Sequence, residues 1–181
     1  MNCAVFLDRD GTLNKDEGFT YKVEDLKFIE GTFKGLSLIQ SLDYKLIIVT
    51  NQAGIGKGKY KEEDYFLFKE EMHRKLKEQG IIITAEYFCP HHPEATIEKY
   101  RINCSCRKPE PGMLEQAAKD FNLDLKRCWM IGDCQSDVLA GKNAGCRTIQ
   151  VMTGKEKIRC SEADFLTNNL LEAAKYLYSK Q

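Results

Sequence analysis

The chain has 181 residues, of which 43% are hydrophobic and 30% are charged, with 27 basic and 27 acidic residues and a formal net charge of zero. This length suits one buried core and is short for two independent domains, and the composition is far from that of disordered chains. The balanced charge provides no electrostatic attraction toward nucleic acid or an anionic membrane, so we expect neither as a partner.

The apolar runs are all of strand length, and the N-terminus "MNCAVFLDRDG" has neither a basic segment nor a long apolar one. The sequence therefore predicts no membrane span and no secretory signal, and we expect a cytoplasmic protein. In such a chain, clustered cysteines are more often metal ligands than disulfides. The four scattered cysteines are interpreted as small buried apolar residues: Cys3, Cys128, Cys146 and Cys160.

Short, largely apolar segments alternate with segments of helical periodicity along the chain. The predicted strands are, in order, residues 3–8, 44–51, 81–88, 128–133 and 146–152. The predicted helices are residues 31–43, 61–80, 110–122, 136–145 and 168–180. This alternation predicts one α/β domain over residues 1–181, with a doubly wound, mainly parallel sheet that binds ligands at the carboxyl ends of its strands.

Two stretches could suggest nucleotide or nucleic-acid binding, and the sequence argues against both. Residues 54–59, "GIGKGK", follow a predicted strand as a nucleotide loop would, but they match neither glycine-rich nucleotide pattern. We expect a flexible loop on the phosphate or substrate side instead. The helix predicted at 61–80 carries Tyr65, Phe66 and Phe68, which we interpret as core or packing surface and not as a base-stacking platform.

Polar side chains directly follow three of the predicted strands. "FLDRDGTLN" ends its strand with Asp8 and Asp10, "IIVTNQ" ends in Thr50 and Asn51, and "MIGDCQSD" ends in Asp133. Taken alone, the first is equally typical of a polar strand end followed by a turn. Because parallel strands bring their carboxyl ends to one edge, the three groups are expected in one crevice. Carboxylate oxygens there suit Mg²⁺, which also binds water and substrate phosphate, and this indicates phosphoryl chemistry.

Residues 89–106, "CPHHPEATIEKYRINCSC", contain three of the eight cysteines and two of the three histidines. A redox dithiol at Cys104 and Cys106 is one alternative, but only one residue separates them and no partner motif is present. Three cysteines and one histidine are typical of a filled, tetrahedral zinc site, with His91 and His92 competing for the fourth position. Such a site has no open position for catalysis, so its function would be structural.

Four ordered motifs resemble those of the haloacid dehalogenase-like phosphatases: "DRDGT", "VTNQ", a later lysine and "GDCQSD", over residues 8–137. The segments "DEGF", "TNQAGIGKGKY" and "CPHHP…CSCRKPEPGM" narrow the resemblance to the heptose-bisphosphate phosphatase subgroup. The resemblance implies a Rossmann-like fold without a large cap domain, and we expect a monomer. It also implies an Mg²⁺-dependent phosphatase that removes the 7-phosphate of D-glycero-D-manno-heptose 1,7-bisphosphate, a small phosphorylated sugar, in ADP- or GDP-heptose biosynthesis.

The resemblance also implies roles for individual residues. Asp8 is the expected nucleophile, forming an aspartyl-phosphate, and Asp10 is the expected acid and then base. Mg²⁺ is expected between the Asp8 carboxylate, the Asp10 backbone carbonyl and Asp133. Asp137 is expected either to orient metal-bound water or to stabilise the start of the following helix. Substrate contacts are expected from Asp16, Glu17, Gly18, Phe19, Thr50, Asn51, Gln52, Ala53, Arg107 and Lys108, the last offsetting charge on the phosphate.

In the subgroup the first histidine is the zinc ligand, so the resemblance implies a structural zinc site of Cys89, His91, Cys104 and Cys106. His92 is then expected to be exposed or to lie outside the ligand set. The zinc loop, residues 89–106, is expected to direct Arg107 and Lys108 toward the substrate.

One position departs from the subgroup pattern, because Cys134 stands where a lysine usually follows the metal-binding aspartate. A neutral thiol supplies neither the charge nor the donors of an ammonium group, so substrate choice is affected more than the basic mechanism. Histidinol phosphate, cleaved by relatives with a shorter metal loop, is the alternative substrate. A zinc-stabilised phosphosugar-binding module without turnover is the non-enzymatic alternative, and the intact Asp8 and Asp10 argue against it.

Overall fold

Six parallel strands form one sheet in the computed structural model of the chain, which describes residues 2–155 and 157–180. The strands are β1 Ala4–Leu7, β2 Lys45–Asn51, β3 Ile83–Cys89, β4 Trp129–Gly132, β5 Arg147–Val151 and β6 Phe165–Thr167. Their order across the sheet is β3-β2-β1-β4-β5-β6. The first five confirm the predicted strands. The sixth strand was not predicted, because its three residues "FLT" are largely exposed and lack the long apolar run of a buried strand.

Helices cover both faces of the sheet. They are α1 Thr32–Ser41, α2 Ala53–Gly56, α3 Glu62–Glu78, α4 Gly112–Phe121, α5 Gln135–Asn143 and α6 Leu170–Tyr178. Leu36 of α1, Phe68 of α3 and Leu170 of α6 belong to the hydrophobic core on one face. Leu114 of α4 and Ala140 of α5 belong to the core on the other face. This is the doubly wound arrangement predicted from the alternation of strands and helices.

The central strand β1 determines where a ligand can bind. All four of its residues are 0% exposed, with Val5 and Leu7 in one core and Ala4 and Phe6 in the other. From β1 the chain runs to β2 and β3 on one side, and later to β4, β5 and β6 on the other. A crevice opens at the carboxyl ends of the strands where the order reverses in this way. The "DRDGT" segment follows β1 directly and therefore lies at that crevice.

The first part of the glycine-rich segment after β2 is packed, which corrects the expectation of a flexible loop at Gly54 and Gly56. Gly54 and Gly56 are buried within the short helix α2. A Cβ at Gly54 would fall 2.1 Å from the Tyr60 ring, and one at Gly56 would fall 2.7 Å from the Pro90 oxygen. The glycines therefore permit close contact between this segment and its neighbours.

The aromatic side chains of α3 and the four scattered cysteines are buried as the sequence predicts, with one exception. Tyr65 and Phe68 are buried on α3, as are the four scattered cysteines. Phe66 is 42% exposed, because it lies about 100° around the helix from Tyr65, and it packs edge-on against Phe88.

Within the residues that the structure describes, no helix has the length and apolar character needed to cross a membrane.

Candidate active site

One small cavity lies between the carboxyl ends of β1 and β2, the start of α5 and the segment that follows the Cys/His stretch of residues 89–106. Its volume is about 140 Å³. Its lining residues are Asp8, Asp10, Thr50, Asn51, Lys108, Cys134, Ser136 and Asp137. Groups from two of the three predicted strand ends therefore line a common space, and the third strand end reaches it through Cys134, next to Asp133.

Lys108 is the buried cation of this cavity. Its Nζ donates to Asp8 Oδ1 at 2.6 Å and to the Val49 backbone oxygen at 2.8 Å, and it lies 2.6 Å from Asp137 Oδ1. Burial lowers the pKa of Lys108, but the Asp137 and Asp8 carboxylates outweigh burial and raise the pKa above its ordinary value. Asp137 Oδ2 accepts from the Cys134 backbone N–H at 2.9 Å. Asp137 therefore both stabilises the start of α5 and holds Lys108.

Asp133 adds negative charge next to this pair. Its Oδ1 accepts from Thr12 Oγ1 at 3.2 Å and its Oδ2 from Cys134 Sγ at 3.2 Å, and neither donor is charged. Burial, assisted by Asp137, raises the pKa of Asp133 to about 6. Burial also raises the pKa of Asp8 well above its ordinary value, against the opposing effect of the ammonium. Three carboxylates beside one ammonium leave excess negative charge, and such oxygen donors fit a divalent cation such as Mg²⁺.

Two glycines form a close-fitting wall around the Asp133 carboxylate. A Cβ at Gly11 would fall 2.6 Å from Asp133 Oδ2, and a Cβ at Gly154 would fall 2.0 Å from the same oxygen. Thr153 Oγ1 donates to the Gly11 backbone oxygen at 2.6 Å, which holds the loop after β5 against the "DRDGT" segment. A side chain at position 154 would therefore displace the carboxylate.

We expect Gly154→Ala to weaken Mg²⁺ binding and to lower kcat/KM by about 10²-fold, the loss that a misplacement of about 1 Å can cause. Titration calorimetry with Mg²⁺ measures the first effect, and phosphate release measures the second. Lys157→Ala, at an exposed position of the same loop, is the control and should change neither quantity. An unchanged Mg²⁺ affinity in Gly154→Ala would mean that the carboxylate has room to adapt.

Asp10 is held by hydrogen bonds from three side chains. Its Oδ2 accepts from Arg9 Nε at 3.1 Å, from Arg9 Nη2 at 2.7 Å and from Gln52 Nε2 at 3.0 Å. Its Oδ1 accepts from Asn14 Nδ2 at 2.9 Å. Tyr60 in turn donates to Gln52 Oε1. The Asp10 carboxylate is therefore fixed in one orientation.

A larger recess of about 290 Å³ adjoins the cavity and shares Asp10 and Asn51 with it. Its lining residues are Asp10, Asp16, Gly18, Phe19, Asn51, Gln52, Ala53, Gly54 and Tyr60. Most of the residues predicted to contact substrate therefore line a space that adjoins the cavity of Asp8 and Asp10. Glu17 does not line it, because its side chain is 54% exposed and pairs with Lys27 at 3.2 Å.

The Cys/His stretch forms a compact group of four ligand atoms. The members lie within 4.8 Å of one another and are Cys89, His91, Cys104 and Cys106. The sulfur of Cys106 lies 3.1 Å from those of Cys89 and Cys104, which are 3.4 Å apart. These distances exceed the about 2.05 Å of a disulfide and approach the about 3.7 Å edge of a tetrahedron of sulfurs around zinc. His91 Nδ1 lies 3.5 Å from Cys106 Sγ.

The thiols of this group differ in their acidity. Hydrogen bonding from Cys89, and then from other members of the group, lowers the pKa of Cys106 to about 5 against the opposing effect of burial, whereas the hydrogen bond with Cys106 raises the pKa of Cys89 and burial raises that of Cys104. The group therefore favours the thiolate form at Cys106, and thiolate is the form that binds zinc. His92 lies outside the group, and its Nδ1 accepts from the Glu94 backbone N–H at 3.0 Å.

Two sets of hydrogen bonds hold Arg107 and Lys108, the two residues that follow the Cys/His stretch. Arg107 Nη1 donates to the His91 backbone oxygen at 3.2 Å, and Arg107 lines neither the cavity nor the recess. Asn51 Nδ2 donates to the Lys108 backbone oxygen at 3.0 Å, and the Lys108 N–H donates to Asn51 Oδ1 at 3.1 Å. The Asn51 side chain thus fixes the Lys108 backbone, so the ammonium position depends on both the loop and β2.

Several residues that the structure brings into the site were assigned no role from the sequence. They are Arg9, Thr12, Asn14, Tyr60 and Gly154. Three of them belong to the "DRDGTLN" segment, so their nearness to Asp8 and Asp10 along the chain was the available signal. Tyr60 ends the quoted segment "TNQAGIGKGKY", and Gly154 reaches the site through the fold alone.

Known proteins resemble this chain in sequence. The family model described as HAD-hydrolase-like matches residues 105–173. A curated relative from Haemophilus ducreyi, named D-glycero-beta-D-manno-heptose-1,7-bisphosphate 7-phosphatase, is 43% identical over 178 residues, covering 96% of this chain and 97% of its own. A relative from Photorhabdus laumondii, named for the alpha anomer, is 40% identical over 175 residues and covers 96% of each chain.

A solved structure resembles the chain in fold as well. That of D,D-heptose 1,7-bisphosphate phosphatase from B. bronchiseptica, complexed with magnesium and phosphate, gives a TM-score of 0.88 at 27% identity and covers 100% of both chains. The structure of the protein of the same name from Burkholderia thailandensis gives a TM-score of 0.70 at 23% identity and covers 97% of this chain and 98% of its own. At this identity the comparison shows a similar fold.

Proposed function

The chain belongs to the haloacid dehalogenase-like hydrolases, in the group of the heptose-1,7-bisphosphate 7-phosphatases, and we propose that it hydrolyses the 7-phosphate of D-glycero-D-manno-heptose 1,7-bisphosphate. The observation that carries this proposal is the near full-length match, at 43% identity, to a relative named for that activity. The cavity that joins Asp8, Asp10 and Lys108 supports it, because hydrolysis through a covalent intermediate needs a nucleophile, an acid and a cation together.

The proposed reaction has two steps. In the first, a carboxylate oxygen of Asp8 forms a bond to phosphorus while the bond from phosphorus to the sugar oxygen breaks, and Asp10 gives its proton to that oxygen. In the second, water attacks phosphorus, Asp10 takes a proton from the water, and the bond from Asp8 to phosphorus breaks to release inorganic phosphate. The Lys108 ammonium, 2.6 Å from Asp8, offsets charge on the phosphoryl oxygens in both steps.

We propose that Mg²⁺ is held by the Asp8 carboxylate, the Asp10 backbone carbonyl and Asp133. The cation, when bound, offsets negative charge between the nucleophile and the phosphate. The excess of buried carboxylates over ammonium groups supports this assignment. Thr50 and the Asn51 backbone are proposed to contact phosphate oxygens, and the recess beside Asp10 to accommodate the sugar.

We propose zinc for the Cys/His group, with a structural function. Four protein ligands fill a tetrahedral site and leave no position for substrate or water. The loop continues directly into Arg107 and Lys108, so the metal would determine where the Lys108 ammonium lies.

We expect Cys106→Ser to lose this metal and to lower kcat/KM by about 10²-fold, because Lys108 would no longer be held within about 1 Å of its position. Structural zinc contributes on the order of 10 kcal/mol to the folding of small zinc domains, but this loop is a minor part of a larger core, so the sheet should remain. Metal analysis, circular dichroism and phosphate release measure the three effects.

The matched control is Cys160→Ser, which changes a cysteine outside the loop and should keep both the metal and the activity. A Cys106→Ser protein that has lost its zinc and keeps full activity would contradict the positioning function. A Cys106→Ser protein that unfolds would instead make the metal a stabiliser of the whole fold.

The substrate is tested by phosphate release from both anomers of the heptose bisphosphate and from histidinol phosphate. We expect the bisphosphates to be preferred, since relatives named for either anomer match nearly the whole chain. The comparison of anomers examines the effect of Cys134, which supplies no charge to the second phosphate. A preference for histidinol phosphate would replace the proposed substrate. A folded, metal-loaded protein that releases phosphate from none of the three would support a binding module.

We further propose that the protein is a cytoplasmic monomer of ADP- or GDP-heptose biosynthesis. The eight cysteines, none of which forms a disulfide among the described residues, support a reducing compartment. Size-exclusion chromatography with light scattering tests the oligomeric state.

A further inference from the structure

We propose that Arg9 is a positioning residue for the acid–base step, and that it determines which oxygen of Asp10 exchanges the proton. This inference rests on the proposed function, because it assigns a partner to the acid of that reaction. Arg9 itself touches none of the reacting atoms in the proposed mechanism.

Arg9 is a buried cation that is hydrogen-bonded to the Asp10 carboxylate. Its side chain is 1% exposed, and Nε and Nη2 both donate to Asp10 Oδ2. Nη2 also donates to the Thr20 backbone oxygen at 2.9 Å and to Gln52 Oε1 at 3.3 Å. The guanidinium carbon lies 4.5 Å from the centre of the Phe68 ring, so α3 forms an apolar wall beside it. The guanidinium is therefore held between the carboxylate and that wall.

The energetics indicate that this arginine serves the site more than the fold. Arg9 Nη1 is buried and has no hydrogen-bond partner among the residues that the structure describes. A buried donor without an acceptor costs about 1–3 kcal/mol, and buried ion pairs are often no more stabilising than apolar residues of similar volume. A function of Arg9 in stability alone would be better met by an apolar side chain against Phe68. The two-donor contact with Asp10 is what an apolar side chain cannot supply.

Because of this contact, the two oxygens of Asp10 differ in how many hydrogen bonds they accept. Oδ2 accepts from Arg9 twice and from Gln52 once, which saturates its two lone pairs. Oδ1 accepts only from Asn14 among the described residues, and it keeps a free lone pair. The proton that moves to the sugar oxygen, and later returns from water, is therefore carried by Oδ1. Without Arg9 the Asp10 carboxyl group could rotate, and its proton would often lie on the oxygen that is turned away from the sugar oxygen.

The test compares kcat/KM for two substrates whose leaving groups differ in their need for a proton. The heptose bisphosphate releases an alkoxide that needs protonation, whereas p-nitrophenyl phosphate releases a phenolate that does not. We expect Arg9→Met to lower kcat/KM by about 10²-fold for the sugar phosphate and much less for the aryl phosphate. Asp10→Asn, the reference variant, should show the same selectivity with a loss of about 10²–10⁴-fold for the sugar phosphate.

Arg74→Met is the matched control, because Arg74 pairs with Glu71 on the exposed face of α3 and should leave both substrates unaffected. Equal losses for both substrates in Arg9→Met, or no loss, would overturn the inference and leave the proposed function intact. Equal losses in Asp10→Asn as well would overturn the acid function of Asp10, and the inference with it. Should Arg9→Met fail to fold, Arg9→Lys keeps the charge but not the two-donor geometry, and the same substrate ratio decides.

Discussion

Replacing Asp8 by asparagine is expected to abolish phosphate release, by about 10⁴-fold or more, while the fold and the zinc content remain. The amide has nearly the shape of the carboxylate but is a poor nucleophile, so no aspartyl-phosphate can form. The fold should tolerate the change, because burial raises the pKa of Asp8 and so opposes its charged form, and Lys108 keeps its ion pair with Asp137. Phosphate release, circular dichroism and metal analysis measure the three outcomes.

Asp43→Asn is the matched control for this substitution. Asp43 is exposed, lies before β2 and has a positive φ of 61° that asparagine also adopts readily. Its variant should keep wild-type activity. Turnover close to wild type in Asp8→Asn would remove the nucleophile from the proposed mechanism.

Lys108→Met is expected to impair both stability and catalysis. The Lys108 ammonium is buried and lies 2.6 Å from both Asp8 and Asp137. Removing one member of a buried ionic group leaves the others uncompensated and typically costs about 3–5 kcal/mol of unfolding free energy. Loss of the positive charge beside the transferring phosphoryl group should also lower kcat by about 10²–10³-fold. Urea denaturation measures the first effect, and phosphate release with saturating substrate measures the second.

Lys142→Met is the control that distinguishes these effects from a general effect of replacing a lysine by methionine. Lys142 pairs with Asp164 at a partly exposed position of α5, outside the cavity. Such surface pairs contribute about 1 kcal/mol or less, so Lys142→Met should keep activity and most of the stability. A Lys108→Met protein with an unchanged kcat would contradict the function proposed for the ammonium.

Part of the fold and of the site could be predicted from the sequence, because the signals lie within short segments. An apolar run that ends in Asp8 and Asp10 predicts both a buried strand and carboxylates at its end. The alternation of such runs with helical segments predicts a parallel sheet, whose geometry brings strand ends together whatever their side chains. The Cys/His group was likewise indicated by three cysteines within residues 89–106. The short, exposed strand β6 carried no such signal.

The contacts within the site were decided by the tertiary structure alone. Lys108 meets Asp8 across 100 positions, and Thr12 meets Asp133 across 121. The residue types alone did not indicate these pairs, and the family resemblance was needed to assign Lys108 to the site.

The reason is that a side chain's direction depends on backbone geometry set by distant packing. Asn51, expected to contact substrate, fixes the Lys108 backbone with its side chain because β2 ends beside that segment. Glu17 lies in the predicted substrate segment but points to Lys27 and solvent. His91 and not His92 faces the three sulfurs, although the two are neighbours in the sequence. Residue identity determined which chemistry was available, and packing determined which atoms could meet.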